Sequence, residues 1–425
     1  MPRPLRIGFV AYRGNMQCGG QGIYLWFLAR ELARLGHEVD VIVGPPYPDA
    51  MPFAGSVVEV ENEMFWARWF MKDWAEFLPR PNPLRVFHPL HFYELGASRL
   101  GFLPEPFAFS LRAFRALAGR IRAGARYDVI HDVQCLGYGL LGMQALGLPV
   151  VTTVHHPLTI DRRASFVRDD SLRDAIGTMQ FYPIGMQAFV ARRLERVITS
   201  SDASADQIQR DFGVRPERIT MLGNGLDTDL FSPDPRVQRS DTEIVCIGRA
   251  SDPNKGIRSL IRALALLPRS VTLTLVDSAQ SEASSWAQEL GCGDRLQLAG
   301  RVPTEELIHL YRRAALVVVP SRYEGFGLPA VEAMACGTPV VSTSAGALSE
   351  VVHVSGGGVT VPPDDPEALA KAIAELLARP EERHRLGTRA RPRVEAAYAW
   401  PRIAERTAEV YEQVNERGRG LQLSC

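Results

Sequence analysis

The chain reads as an α/β protein built from two consecutive doubly wound, parallel-sheet domains. Three observations predict this. Short β-branched runs alternate with amphipathic helical stretches along most of the 425 residues. The alternation gives way at FSPDPRVQRSD (231–241), polar and proline-bearing like a linker, and a second series then begins. Several runs open into glycine-bearing loops, and parallel sheets bind ligands beyond the carboxyl ends of their strands.

The first strand is LRIGFVAY (5–12), followed by the loop RGNMQCGGQG and the helix IYLWFLARELARLG, which Gly36 stops. EVDVIV (38–43) closes a βαβ unit. YDVIHDVQ (127–134), VVTTVHH (150–156), RVITSS (196–201) and the segment 214–225 continue the series. The second series runs through EIVCIGRA (243–250), VTLTLVDS, RLQLAGRV, LVVVPS and PVVSTS. A long charged helical stretch follows Pro380 and ends near Asn415. Residues 63–124 break the rhythm as an aromatic-rich insertion. Trp66, Phe70, Trp74 and Phe77 share one helical face, and a second amphipathic helix at 107–124 carries Arg112, Arg115, Arg120 and Arg122. Packing within its own domain is the simpler reading of the insertion. A membrane-interface patch, with the arginines on anionic lipid, is the sharper one.

Composition narrows the function. The chain has 48 basic and 48 acidic side chains and is 46% hydrophobic, which argues against a nucleic-acid-coating protein. Cys18, Cys135, Cys246, Cys292, Cys336 and Cys425 are scattered without zinc or disulfide spacing, as expected of reduced thiols in the cytoplasm. The start MPRPLRIGFVAYRG does not read as a signal peptide, and no run approaches the roughly 20 apolar residues of a bilayer span. The expectation is a cytoplasmic protein, at most peripheral at the inner face of the membrane.

Three loops carry chemistry. In GNMQCGGQG (14–22), Gly19, Gly20 and Gly22 allow backbone amides close to a ligand at a helix N-terminus. The loop lacks G-x-G-x-x-G spacing, and the second strand ends without an acid, so a dinucleotide site is not supported; a tight turn explains the glycines equally well. In GRASDPNKG (248–256), Arg249 and Lys255 leave a strand end together and suit a diphosphate, although either base alone would read as solvated. In SRYEGFGLPAVEAMACGTPVVSTSAG (321–346), Glu324 precedes a glycine turn, Pro329 opens a helix, and Glu332 falls in the first helical turn, where a carboxylate also simply complements the dipole.

With these residues in place, the chain resembles the retaining nucleotide-sugar glycosyltransferases of family 4. SRYEGFGLPAVEAMACGTPVV looks like the family signature, GRASDPNKG its G-R-x-x-x-x-K-G loop, NGLDTDLF (224–231) its N-G-[VI]-D-x-x-x-F, and LAGRVPTEELIHLYRRA (298–314) its G-x-V…L…Y…A segment. CGGQG and TVHHP fit the first domain. The likeness covers most of the chain, strongest over 220–350 and weakest over 60–125. It implies the GT-B fold, two Rossmann-like domains facing each other across a cleft. These are an acceptor domain over 1–232, on which a C-terminal helix (about 396–425) packs back, and a donor domain over 233–395.

The resemblance implies a hexosyltransferase-type enzyme that moves a sugar from a UDP-, GDP- or ADP-linked donor to an acceptor hydroxyl, glycan or lipid-linked, with retention. No cofactor is implied. Arg249 and Lys255 would neutralise the leaving diphosphate in place of a metal. Glu332 would bind the ribose hydroxyls, Glu324 and the amides of Phe326, Gly327 and Leu328 the donor sugar, and Gly19 and Gly20 the phosphates or acceptor. His155 would sit near the reacting sugar. Family members often have Asp or Asn after that histidine; here His156 stands there, so two histidines compete for the role. Asp227 and Asp229 imitate a D-x-D metal site, but their place inside NGLDTDLF makes that a false lead, and no essential metal is expected. The rival readings are a GT-B sugar-nucleotide epimerase, which needs acid/base side chains the signature does not supply, and a non-catalytic nucleotide-sugar binder, which the four charged residues together argue against.

Overall fold

The structure is a computed structural model and describes residues 3–16, 20–62, 82–100, 102–155, 157–159 and 183–422, with side chains to 416. The helix expected over Trp66, Phe70, Trp74 and Phe77 lies outside these residues. The chain forms two compact units. The first comprises Met1–Ser200, Ala205–Leu222 and Ala404–Cys425, the second Ser201–Ser204 and Gly223–Ile403.

In the first unit, β1 (Arg6–Ala11), β2 (Glu38–Val43), β3 (Ser56–Glu59), β4 (Val129–Val133), β5 (Val150–Thr153), β6 (Arg196–Thr199) and β7 (Ile219–Met221) form one sheet in the order β3-β2-β1-β4-β5-β6-β7. Every pairing is parallel. β4, β5 and β6 are buried at every residue, as expected when helices cover both faces. Those helices include α1 (Gly20–Arg34), α2 (Pro89–Arg99), α3 (Glu105–Arg122), α4 (Gly139–Ala145), α5 (Ile184–Ala191) and α6 (Asp202–Phe212). Strand order reverses between β1 and β4, so the loops after these two strands flank the crevice where such sheets take ligands.

A buried polar chain crosses this unit. His131 on β4 lies between the hydroxyls of Tyr411 and Thr153, the latter 2.7 Å away, and Thr153 in turn meets the Tyr24 hydroxyl at 2.9 Å. Burial pushes the His131 pKa down to about 3, so the ring is neutral and bridges as a donor and an acceptor. Burial pushes the neighbouring Asp132 up to about 7, against hydrogen bonds from Thr152 and the amides of Leu136 and Cys135.

In the second unit, β8 (Glu243–Ile247), β9 (Thr272–Val276), β10 (Leu296–Leu298), β11 (Leu316–Val319), β12 (Val340–Thr343) and β13 (Gly358–Val361) form a parallel sheet in the order β10-β9-β8-β11-β12-β13. Its helices are α7 (Ile257–Leu266), α8 (Ala283–Glu289), α9 (Thr304–Arg313), α10 (Leu328–Ala335), α11 (Leu348–Ser355), α12 (Pro366–Leu377) and α13 (Pro380–Tyr398). Here the order reverses between β8 and β11, which sets GRASDPNKG and SRYEGFG side by side.

Two readings change. The long C-terminal helical stretch is two helices, α13 and then α14 (Trp400–Gln422). Ala399 between them is extended and bridges to Leu226, whose amide donates to the Tyr398 carbonyl at 2.7 Å. Pro401 falls in the first turn of α14, where its missing amide proton costs no intrahelical bond. The stretch 231–241, linker-like in composition, packs into the second unit. Phe231 is buried in its core, and the Ser240 amide bonds the Arg313 carbonyl at 2.7 Å.

Candidate functional site

The loop after β8 is held from three sides. Asp252 caps a short turn at Pro253–Lys255 by accepting from the Asn254 amide. Asp277, just beyond β9, accepts from the Ala250 amide at 2.8 Å. The Arg322 amide, just beyond β11, donates to the Asn254 carbonyl at 2.7 Å. Gly256 follows at φ +63°, and a β-carbon there would lie 1.9 Å from the Pro320 carbonyl oxygen. Only glycine lets the two loops close to this distance.

The result brings together two residues that lie 69 apart in sequence. Lys255 Nζ meets Glu324 Oε1 at 2.5 Å, and the Ser321 hydroxyl donates to the same oxygen at 3.1 Å. Lys255 is 30% and Glu324 13% exposed, so the pair is largely shielded but reachable. Glu324 Oε2 accepts no hydrogen bond among the described residues. Arg249 stands apart from this pair. Its side chain is exposed, without an ion pair or hydrogen bond among the described residues.

Gly327, at φ +93°, begins α10. The amides of Phe326, Gly327 and Leu328 donate to no acceptor among the described residues, so they form a donor cluster at a helix N-terminus beside Glu324. The Phe326 ring is buried edge-on against Tyr398, with centroids 5.2 Å apart, so it anchors the turn rather than facing a ligand.

Glu332 differs from its expected place. It is the fifth residue of α10, and the first turn holds no acid, so the helix dipole does not account for it. Its Oε2 accepts from the buried Tyr311 hydroxyl at 2.7 Å. Burial raises the Glu332 pKa above the ordinary carboxylate value, and the Tyr311 hydrogen bond opposes this. Tyr311 was visible in the sequence only as the tyrosine of the G-x-V…L…Y…A segment. Asp227 caps a turn by accepting from the Leu230 amide at 3.1 Å.

In the first unit, Gly20 is exposed at the start of α1 with open space where a side chain would grow; Gly19 and His156 lie outside the described residues. His155 follows β5. Its amide donates to Gln134 Oε1 at 2.8 Å, and its ring stands edge-on to Tyr24 at 4.8 Å. The buried chain through Thr153 and His131 therefore ends against the ring of His155. Sequence reasoning missed Tyr24 and Gln134, because neither belongs to a motif. Among the described residues, no cluster of three His, Cys, Asp or Glu side chains has metal-binding geometry.

Comparison with known proteins gives the family and the fold. Residues 18–230 match the family described as Glycosyltransferase Family 4, and residues 228–393 match that described as Glycosyl transferases group 1. The chain is 38% identical over 424 residues to the MMP alpha-(1->4)-mannosyltransferase of Mycolicibacterium hassiacum, covering 97% of this chain and 99% of that one. It is 28% identical over 434 residues to D-inositol 3-phosphate glycosyltransferase 1 of Catenulispora acidiphila, covering 97% and 94%. Sucrose-phosphate synthase of Thermosynechococcus elongatus superposes with a TM-score of 0.68 at 25% identity, over 96% of this chain and 99% of that one. Anabaena HepE in complex with UDP and glucose superposes with a TM-score of 0.67 at 21% identity, over 96% and 99%, a likeness of fold alone.

Proposed function

The chain belongs to glycosyltransferase family 4 and has the two Rossmann-like domains of the GT-B fold, and we propose that it transfers a sugar from a nucleoside-diphosphate sugar to an acceptor hydroxyl with retention of configuration and no essential metal. One observation carries this reading. A lysine, a carboxylate and three free helix-terminal amides converge at the topological switch point of the second sheet.

The site offers each charge of the donor a partner. Arg249 and Lys255 take the diphosphate, and Lys255 stabilises the negative charge that grows on it as the sugar leaves. Glu324, with one oxygen held by Lys255 and Ser321, accepts from a sugar hydroxyl through the other. The amides of Phe326, Gly327 and Leu328 donate to sugar oxygens, and Glu332, oriented by Tyr311, accepts from the ribose. The bond from the anomeric carbon to the diphosphate oxygen breaks while the acceptor oxygen bonds on the same face. The acceptor proton passes to the departing phosphate. In the first unit, His155, held by Gln134 and Tyr24, is the candidate for orienting a sugar hydroxyl.

A donor panel tests this. UDP-glucose is included because HepE is described in complex with UDP and glucose, and GDP-mannose because the Mycolicibacterium relative is named a mannosyltransferase. One donor raises the melting temperature and releases its nucleotide when acceptor is added, and EDTA leaves turnover unchanged. Loss of turnover in EDTA with recovery in magnesium sinks metal independence, and an inverted anomeric product sinks retention.

The cytoplasmic enzyme also touches the inner membrane face through its aromatic insertion. Leu84, Phe87 and Phe92 are 69%, 78% and 67% exposed, in a segment that also carries Arg85, paired with Glu61, and the exposed Arg99, and no described helix is long and apolar enough to cross a membrane. Co-sedimentation with anionic but not zwitterionic vesicles is expected, and equal recovery in the supernatant with both contradicts the contact.

A further inference from the structure

The loops that carry Lys255 and Glu324 lie at the carboxyl ends of β8 and β11. At the amino ends of the same sheet, roughly 15 Å away across strands of this length, a cavity of about 500 Å³ opens. It lies between the residues leading into β8, the α10–β12 turn and one face of α13. Three arginines line it, Arg239, Arg383 and Arg391.

Two of the three are satisfied. Arg383 donates to the carbonyls that end α12, Leu376 at 3.1 Å and Leu377, and pairs with Asp241 at 2.9 Å. Arg391 donates to the carbonyls of Thr228, Phe231 and Ala335 and pairs with Glu395 at 2.5 Å.

Arg239 is different. Its Nη1 donates to Thr338 Oγ1 at 3.0 Å, and its Nε and Nη2 donate to nothing among the described residues. No described carboxylate lies within ion-pair distance. Burial pushes its pKa below the usual arginine value, with Cys336 opposing the shift and Arg383 adding to it. Arg239 is half-buried and faces a cavity whose one lining carboxylate among the described residues, Asp241, is engaged by Arg383, so an arriving anion would give this guanidinium the partner it lacks.

We propose that this cavity binds a phosphate monoester. Two phosphate oxygens would take the free Nε and Nη2 of Arg239 as a planar fork, the geometry for which guanidinium is suited. Arg383, already paired with Asp241, forms the adjacent wall, and the exposed His384 stands at the rim. The volume exceeds that of a phosphate group and falls in the range that holds a small organic molecule, so the site has room for the alcohol portion of the ester.

The test is titration calorimetry and thermal shift with glucose 6-phosphate and with inorganic phosphate, at constant ionic strength, on wild type, Arg239→Met, Arg239→Lys and Arg249→Ala. Glucose 6-phosphate binds wild type and Arg249→Ala alike, inorganic phosphate binds both more weakly, and Arg239→Met weakens each by about tenfold or more. Arg239→Lys, which keeps the charge and loses the fork, falls between. Without anion, Arg239→Met melts no lower than wild type, because it removes an uncompensated cation; a purely structural arginine would lower the melting temperature instead. Equal affinity in wild type and Arg239→Met, or loss in Arg249→Ala alone, overturns the site. Binding of inorganic phosphate without glucose 6-phosphate overturns the monoester assignment.

Discussion

Replacing Lys255 by alanine is expected to lower kcat/KM for the donor by about 10²–10³-fold, the usual consequence of removing one preorganised group from developing charge. The substitution also strands Glu324, which is mostly shielded and would lose the only cation paired with it among the described residues. If Lys255 acts chiefly on the charge that grows as the sugar departs, kcat falls more than KM rises. Arginine at this position is expected to restore little, because the ammonium reaches a single carboxylate oxygen at 2.5 Å in a space fixed by Ser321 and the Pro320 carbonyl. Steady-state kinetics with the donor identified by the panel provides the measurement. A value within about threefold of wild type would remove Lys255 from the chemistry.

Gly346→Ala is expected to be nearly as damaging from outside the cluster. Gly346 sits at φ +58°, and a β-carbon there would lie 2.2 Å from the Glu324 carbonyl oxygen. The next residue, Ala347, donates its amide to that same oxygen at 2.9 Å. The new methyl therefore pushes on the backbone that aims Glu324 and strains the hydrogen bond that holds it. The combined strain and clash are expected to cost about 2–4 kcal/mol of stability. Displacement of the carboxylate lowers kcat/KM at least about tenfold. Thermal unfolding and kinetics on one preparation check both halves. A variant that melts and turns over like wild type would mean that the backbone here yields freely.

The two predictions differ in how visible their residues were beforehand. The alternation of strands and helices, the switch-point loops and the residues of the signature could be read from the sequence because each is a local pattern. The Lys255–Glu324 pair could not, since periodicity carries no information about which residues meet across 69 positions. β3 and β13 escaped notice for another reason. Each has four residues at a sheet edge and is partly exposed, so neither shows a buried run or a clean alternation. Glu332 was placed in the wrong turn because Pro329 marks the start of α10 only to within a residue. That boundary is set by the backbone of Gly327, and the Tyr311 hydroxyl that holds Glu332 comes from a different helix, α9. The stretch 231–241 looked like a linker because its partners, among them Arg313, Thr338 and Arg391, all come from distant segments.

The path of α14 bears on how such enzymes can be recombined. Its first residues belong to the second unit, and from Ala404 onward the chain belongs to the first, where Tyr411 joins the buried chain through His131. The first unit is therefore discontinuous in sequence, and the second unit is an insert within it. A chimaera made by exchanging everything downstream of the first sheet would import a foreign final helix and leave His131 facing the wrong partner. A graft joined at both ends, near 222 and near 404, would move the second unit as a whole while the recipient kept its own tail.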